Sequence, residues 1–304
     1  MSLNRQRKNP TNSRRQLIDN RHKRAITTGA LKEQPMNSHL TIYRVRARNT
    51  ATDSENRIHD DETAARYGFR GGLVPGITVY GYMTVPVVAV YGHTWLERGA
   101  MQIKFIQPVY EGDEVIVRAV ADTSSTDALS ITAERGDGTV CAVATARLNE
   151  RSAAPRLADY PFASLPADAA RPLASSESFV AGAVLGTLRE TLDLQDTALL
   201  DQLDERLAVY RGPEPPAHPV ALLERANRLL MRNFKLGPWI HAASELVNYS
   251  TAHDGDVIEA RGRIADCFAR KGHEFAVLDI LLTADGARPV QQVRHTAIYR
   301  PRFV

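Results

Sequence analysis

The sequence predicts an α+β fold in which one unit, a curved antiparallel sheet wrapped around a long buried helix, occurs twice in tandem. Three observations carry that expectation. Runs of apolar and polar residues alternate as in half-buried strands. A long apolar stretch in the first half, and a second stretch with apolar residues at helical spacing, mark two helices. A set of landmarks recurs at matching spacings in the two halves.

The first strand is Leu40 to Ala47, where apolar residues fall at every second position. A polar segment, Asn49 to Arg66, leads into the glycine-rich run Gly68-Phe-Arg-Gly-Gly-Leu-Val-Pro-Gly76. Ile77 to Tyr91 is apolar almost throughout, which fits a helix covered on most sides, with Pro86 expected to kink or end it. Strands follow at Ala100–Gln107, Glu114–Asp122, Ala128–Glu134 and Val140–Leu148. Residues 150–173, rich in Ala, Pro, Ser and Asp, read as a linker. Beyond it come a strand around Phe179–Leu188, a helix opening at Pro219, and strands at Ile240–Tyr249, Val257–Phe268, Glu274–Thr283 and Val290–Tyr299. Proline suits the first helical position, and Val220, Leu223, Asn227, Leu230, Met231 and Phe234 share one helical face.

The repeat is countable. Trp95 lies 20 residues after Pro75, and Trp239 lies 20 after Pro219. From each tryptophan a Gly-Asp pair follows, Asp113 after 18 residues and Asp256 after 17, and each pair opens an alternating strand. The expected organisation is a basic tail over 1–38, a first unit over 39–149, the linker over 150–173, and a second unit over 174–304. Two such sheets placed side by side cover each other's edge strands and leave a groove in which a ligand can bind.

Composition narrows the function classes. Hydrophobic residues make up 43% and charged residues 24% of the 304, as in ordinary globular proteins. No run reaches the roughly 18 apolar residues of a membrane span, so a soluble intracellular, cytoplasmic protein is expected. Cys141 and Cys267 have neither CxxC nor Cys/His ligand spacing, which argues against zinc and for two reduced, packed thiols. Residues 1–38 carry nine Lys/Arg against two acids, a net +7, while the rest of the chain is −4. With no aromatic residue to stack on a base, this segment reads as an unstructured tail, or as an upstream extension of a chain beginning at Met36, without specific nucleic-acid or membrane binding. The patterns GxSxG, HExxH and GxxxxGK[ST] are missing, so serine-hydrolase, zincin and phosphate-loop readings drop out.

The richest polar cluster is Asp53-Ser-Glu-Asn-Arg-Ile-His59, followed by Asp61, Ala64, Gly68-Phe69 and Gly76. Here the sequence resembles the MaoC-like hotdog family of (R)-specific enoyl-CoA hydratases and 3-hydroxyacyl thioester dehydratases. That family's pattern is Asp-x-Asn-Pro-x-His, an acid and an alanine soon after, Gly-Phe, and a His-Gly pair opening the buried helix. Phe105-Ile-Gln-Pro-Val-Tyr-Glu-Gly-Asp113 is similar to the family's strand-turn-strand segment, and the resemblance covers residues 40 to 148. It implies a double hotdog fold, a hydro-lyase of fatty acid metabolism acting on acyl-CoA or acyl carrier protein thioesters, no cofactor or metal, and a monomer of two hotdogs or a homodimer. An Asp and a His of the family hold the water, while an amide at the helix start takes the thioester oxygen. Carried onto this chain, His59 is the acid/base, Asp53 or Glu55 its carboxylate partner, and Ser54, Asn56, Gly76 and Ile77 the substrate-binding residues.

Three departures stand in the motif. Ser54 occupies the position of the catalytic Asp, Arg57 that of the Pro, and Pro75 that of the His before Gly76. A serine accepts no proton near neutrality without a base beside it, so a one-residue shift bringing Asp53 or Glu55 into place is required. Local readings of the same residues are a turn cap for His59, a turn former for Asn56, and first-turn helix acids for Asp60, Asp61 and Glu62. His218, Asn227, His241, His273 and His295 read as structural. Thioester hydrolysis, or acyl binding without turnover, are the alternatives.

Overall fold

The computed structural model describes residues 40–122, 127–150 and 153–303. The expected tail over 1–38 lies outside the described residues. Five strands make the first half: β1 (Thr41–Arg46), β2 (Gly99–Phe105), β3 (Glu114–Ala121), β4 (Ala128–Arg135) and β5 (Val140–Leu148). Period-two burial is clearest in β3, where Val115, Val117 and Ala119 face the core. The second half has β6 (Leu188–Thr191), β7 (Ile240–Asn248), β8 (Val257–Arg270), β9 (His273–Ala284) and β10 (Arg288–Arg300).

Strand order demonstrates the duplication. The first half runs β1-β3-β4-β5-β2, and the second, read from its outer edge, runs β6-β8-β9-β10-β7. β2 and β7 pair antiparallel, from Ala100 opposite Val247 to Lys104 opposite Ala243, giving a single sheet of ten strands. The inner edge of each half is thereby satisfied by the other. The two Gly-Asp turns match in detail. Gly112 and Gly255 have φ of +78° and +82°, a region that favours glycine. Asp113 Oδ2 accepts from the Tyr110 amide at 3.0 Å, and Asp256 Oδ2 from the His253 amide at 2.9 Å.

Helices α1 (Asp61–Ala65), α2 (Gly76–Tyr91) and α3 (His93–Arg98) belong to the first half, and α4 (Ala198–Gln202) and α5 (Pro219–Asn233) to the second. Residues 78–88 of α2 are all buried, as its composition requires. Burying Tyr80, Tyr82, Met83 and Val87 contributes roughly 1.5–3 kcal/mol per large side chain. Pro86 does not end the helix, which continues to Tyr91 and stops at Gly92, φ +60°. At Gly81 a Cβ would stand 2.8 Å from both Val220 of α5 and Leu203, so the glycine sets how closely the two central helices approach.

One expectation is corrected in the connecting region. The strand expected at Phe179–Leu188 is reduced to an isolated antiparallel bridge, Val184 opposite Arg263, and the edge strand is β6, beginning at Leu188. Gly182 takes φ +86°, breaking the extended run, and the Phe179 ring stacks on Phe234 and Tyr299 at 4.2 and 4.3 Å. Residues 182–185 still lie along β8, where the Gly182 and Leu185 amides donate to the Ile264 and Gly262 carbonyls at 2.8 and 2.9 Å, while Phe179 is buried in the core. α3, with Trp95 fully buried, was not expected.

Candidate functional site

A cavity of about 850 Å³ lies between the halves. The first half contributes the loop before α1 and the start of α2; the second contributes one face of α5 and the start of β7. His59, Ser54, Asn56, Gly76 and Ile77 all line it. Asp53 and Glu55 do not: both are exposed, and Glu55 reaches outward to Arg171 at 4.0 Å.

The reason is a local turn. Ser54 donates its amide to the Ala51 carbonyl at 3.0 Å, and its Oγ accepts from the Asn56 amide at 3.1 Å. This serine turn directs Ser54 and Asn56 inward, leaving their neighbours Asp53 and Glu55 outside. Asn56 then caps the single 3-10 turn, residues 57–59, that delivers His59.

His59 is held from several sides. Its Nδ1 donates to the Leu73 carbonyl at 2.7 Å, and its Nε2 faces the Asn56 amide nitrogen at 3.3 Å. A carbonyl partner requires a proton on Nδ1, so Nε2 carries the lone pair. Burial holds the imidazole below the usual histidine range, with the Leu73 hydrogen bond opposing it. No carboxylate oxygen stands within 4.0 Å of either ring nitrogen among the described residues. The acids that line the cavity, Asp193, Asp196 and Glu224, belong to the second half.

The glycine run is explained by close approach. A Cβ on Gly72 would lie 2.1 Å from the His59 carbonyl oxygen, and the Gly72 amide donates to Asp61 Oδ1 at 2.7 Å. Asp61 therefore ties the run beneath the histidine. Asp60 is the N-cap of α1, accepting from the Thr63 amide at 2.9 Å, and that bond holds its carboxyl below the usual range. Pro75, the N-cap of α2, has no side chain to cap the first turn. The amides of Gly76 and Ile77 are thus first-turn donors without an intrahelical carbonyl, and both residues face the cavity.

Four residues read from sequence as structural also line the cavity: His218, Asn227, His241 and His273. His241 Nε2 meets Ser244 Oγ at 2.8 Å, and the same hydroxyl meets His295 Nδ1 at 3.1 Å. Burial pushes His241 well below its ordinary value, with His295 adding to the effect, and burial pushes His295 down to about 3. His241 and Ser244, three apart, would face opposite sides of a regular strand. A bulge at Ala242, where Thr296 pairs with Ala243 but Ala297 with His241, turns both to one side. His241 lies under the start of α2: a Cβ on Gly76 would be 3.1 Å from its Nδ1.

The start of α5 is built differently. His218 is its N-cap, accepting from the Val220 amide through Nδ1 at 3.2 Å, while Nε2 faces Glu205 Oε2 at 3.5 Å. Both side chains are buried, at 2% and 1% exposure. Burial holds His218 down; for Glu205 burial acts upward, but His218 and the Leu207 amide outweigh it and the carboxyl stays low.

Solved structures with this architecture place it among known folds. A protein described as a MaoC domain dehydratase from Chloroflexus aurantiacus matches with TM-score 0.61 at 11% identity, over 87% of this chain and 95% of its own. A conserved hypothetical protein of Mycobacterium tuberculosis, described as having a double hotdog fold, matches with TM-score 0.62 at 15% identity, over 86% and 96%. A MaoC-like dehydratase matches with TM-score 0.55 at 13% identity, over 88% and 98%. No family model matches the sequence, and no curated protein does. The fold is the double hotdog shared by MaoC-like proteins. Among the described residues no helix is long and apolar enough to cross a membrane, and no group of three or more His, Cys, Asp or Glu is placed to hold a metal ion.

Proposed function

We propose that this protein hydrates 2-enoyl thioesters, carried on CoA or acyl carrier protein, to 3-hydroxyacyl thioesters, and reverses that reaction. The observation that supports it is the convergence, in one cavity, of a neutral imidazole at His59 and the uncapped first turn of α2. In this reading His59 acts alone. A water displaces the 3.3 Å contact between Nε2 and the Asn56 amide. Nε2 then takes a proton from that water, its oxygen bonds to C3, the double-bond electrons pass to the thioester oxygen, and the Gly76 and Ile77 amides meet that charge. The imidazolium then returns the proton to C2. Asp53 and Glu55, expected as partners of His59, have no part in it because they stand outside the cavity.

A panel of 2-enoyl-CoA substrates tests the reading. Loss of the conjugated absorbance without release of free thiol is the expected result, and His59→Gln is expected to abolish it while leaving the fold intact. Thiol release instead would assign thioester hydrolysis. Ser54 at the position of the family's Asp favours a second reading, acyl binding without chemistry, for which saturable binding with no change in the thioester is the signature.

A further inference from the structure

We infer that His241, Ser244 and His295 of the second half form a buried positioning chain that fixes the first turn of α2, and with it the Gly76 and Ile77 amides, for the thioester oxygen. The inference rests on the role given above to those two amides.

Gly76 sits on the His241 ring. A Cβ built on the glycine would lie 3.1, 3.2 and 3.3 Å from Nδ1, Cβ and Cγ of that histidine, so no side chain fits between them. The ring is held in turn by its neighbours. Its Nε2 meets Ser244 Oγ at 2.8 Å, that hydroxyl meets His295 Nδ1 at 3.1 Å, and Phe105 of the first half stands edge-on at 4.8 Å. Ser244 has one proton to give, so one ring donates to it and the other accepts from it. Burial keeps both rings neutral, and the chain therefore places no charge beneath the turn.

Stability does not call for this chain. The three residues are 6%, 1% and 0% exposed, and His241 Nδ1 and His295 Nε2 are buried without a hydrogen-bond partner, which costs free energy. Around them β7, β9 and β10 bury Leu246, Leu278 and Val293, the residue types such a seam ordinarily uses. β7 also gives up its regular pairing at Ala242 to turn His241 toward the hydroxyl. The first half, with the same topology, does without: five residues past Trp95 stands Ala100, where five past Trp239 stands Ser244. A polar chain that costs stability, present in one half and pressed against the helix start whose amides are free, marks a functional requirement. Its hydrogen bonds fix the rotation of the His241 ring, and the ring fixes the turn that rests on it. His241 and His295, which read from sequence as structural, thereby serve the site.

Amide NMR on the full chain tests this without turnover, with octanoyl-CoA as a saturated thioester that cannot be hydrated. The Gly76 and Ile77 signals are identified by their loss in Gly76→Ala and Ile77→Val. In wild type both amides should shift when octanoyl-CoA is added; failure to bind it, or binding that moves neither amide, overturns the inference. In Ser244→Ala the ligand-induced shift should fall about twofold or more, as for donors no longer aimed at the oxygen; a full shift in the folded variant overturns it. Ser244→Ala should also lower kcat on a 2-enoyl-CoA about tenfold with little change in KM, and unchanged kcat overturns it. His241→Phe, Ser244→Ala and His295→Leu combined remove every member of the chain together, so Tm should stay at the wild-type value while the shift is reduced as in Ser244→Ala. A lowered Tm with the full shift retained would make the chain part of the fold alone and overturn the inference. If the amide results hold but wild type converts no 2-enoyl thioester, the hydratase reading falls and the positioning of the turn stands.

Discussion

The two halves share one topology yet treat the same position, the start of the central helix, in opposite ways. In α2 it is uncapped, opened by Pro75 and Gly76, and it lines the same cavity as His59 from a turn of the same half. In α5 the His218 side chain occupies the first-turn amide, and its other ring nitrogen is committed to Glu205. A helix start with a free first turn can serve a ligand, whereas one with its donor taken serves the fold. Duplication has kept the architecture twice and left one end open. The helix surfaces agree: α2 is apolar nearly throughout, while α5 carries Arg225 and Arg228, both paired with Glu190.

The sharpest way to break this contrast is at His59. His59→Gln should lower kcat by about 10²–10⁴-fold, the usual range for a lost general acid/base, with Tm near that of wild type. Next, His218→Ala should act on stability. It strips the cap of α5 and leaves Glu205 buried without its partner, a loss of about 3–5 kcal/mol by denaturant titration. Acidification acts in the same sense. His59, His218, His241 and His295 all have folded values depressed by burial, so the unfolded chain takes up protons first. Stability should be full above the ordinary histidine value of about 6.5 and fall as pH drops below it; a Tm that rises from about pH 7.5 to 5.5 would refute that account.

Gly76→Ala should be smaller. The added methyl stands 3.1 Å from Nδ1 and 3.2 Å from Cβ of His241, whose ring is held by Ser244 and packed on His295 at 4.3 Å. The expected destabilisation is roughly 1–3 kcal/mol, with reduced activity as the first turn of α2 shifts. Smallest is Ser54→Asp, in which a carboxylate can still accept from the Asn56 amide. Stability should stay within about 0.5 kcal/mol, while the acidic limb of the pH–rate profile moves upward through the added negative charge.

Much of this was legible in the sequence, for identifiable reasons. Alternation marked most strands of both halves because one face of the sheet is buried, and the unbroken apolar run of α2 announced a helix enclosed on most sides. The spacing from Pro75 and Pro219 to the tryptophans and Gly-Asp turns exposed the duplication, since those turns need glycine at positive φ. The position of His59 in the cavity followed from the motif around it. What stayed hidden depends on contacts distant in sequence or on a single irregular residue. The Asn56–Trp239 pair joins positions 183 residues apart. The His241–Ser244 pair needs a bulge at Ala242 that no local pattern marks. The outward course of Asp53 and Glu55 is set by the Ser54 hydroxyl, which reads equally well as a vacancy in the motif. The apolar stretch near Phe179 resembles a strand and pairs with β8 only around Val184, because Gly182 at positive φ interrupts the extended run.

The central claim, that chemistry belongs to the open helix start of the first half, is tested most directly by kcat/KM for a 2-enoyl thioester in His59→Gln and His218→Gln, at a temperature where both remain folded. The account predicts a loss of about a hundredfold or more in His59→Gln, and a wild-type rate with lowered Tm in His218→Gln. Full activity in His59→Gln, or a folded His218→Gln without turnover, would contradict it.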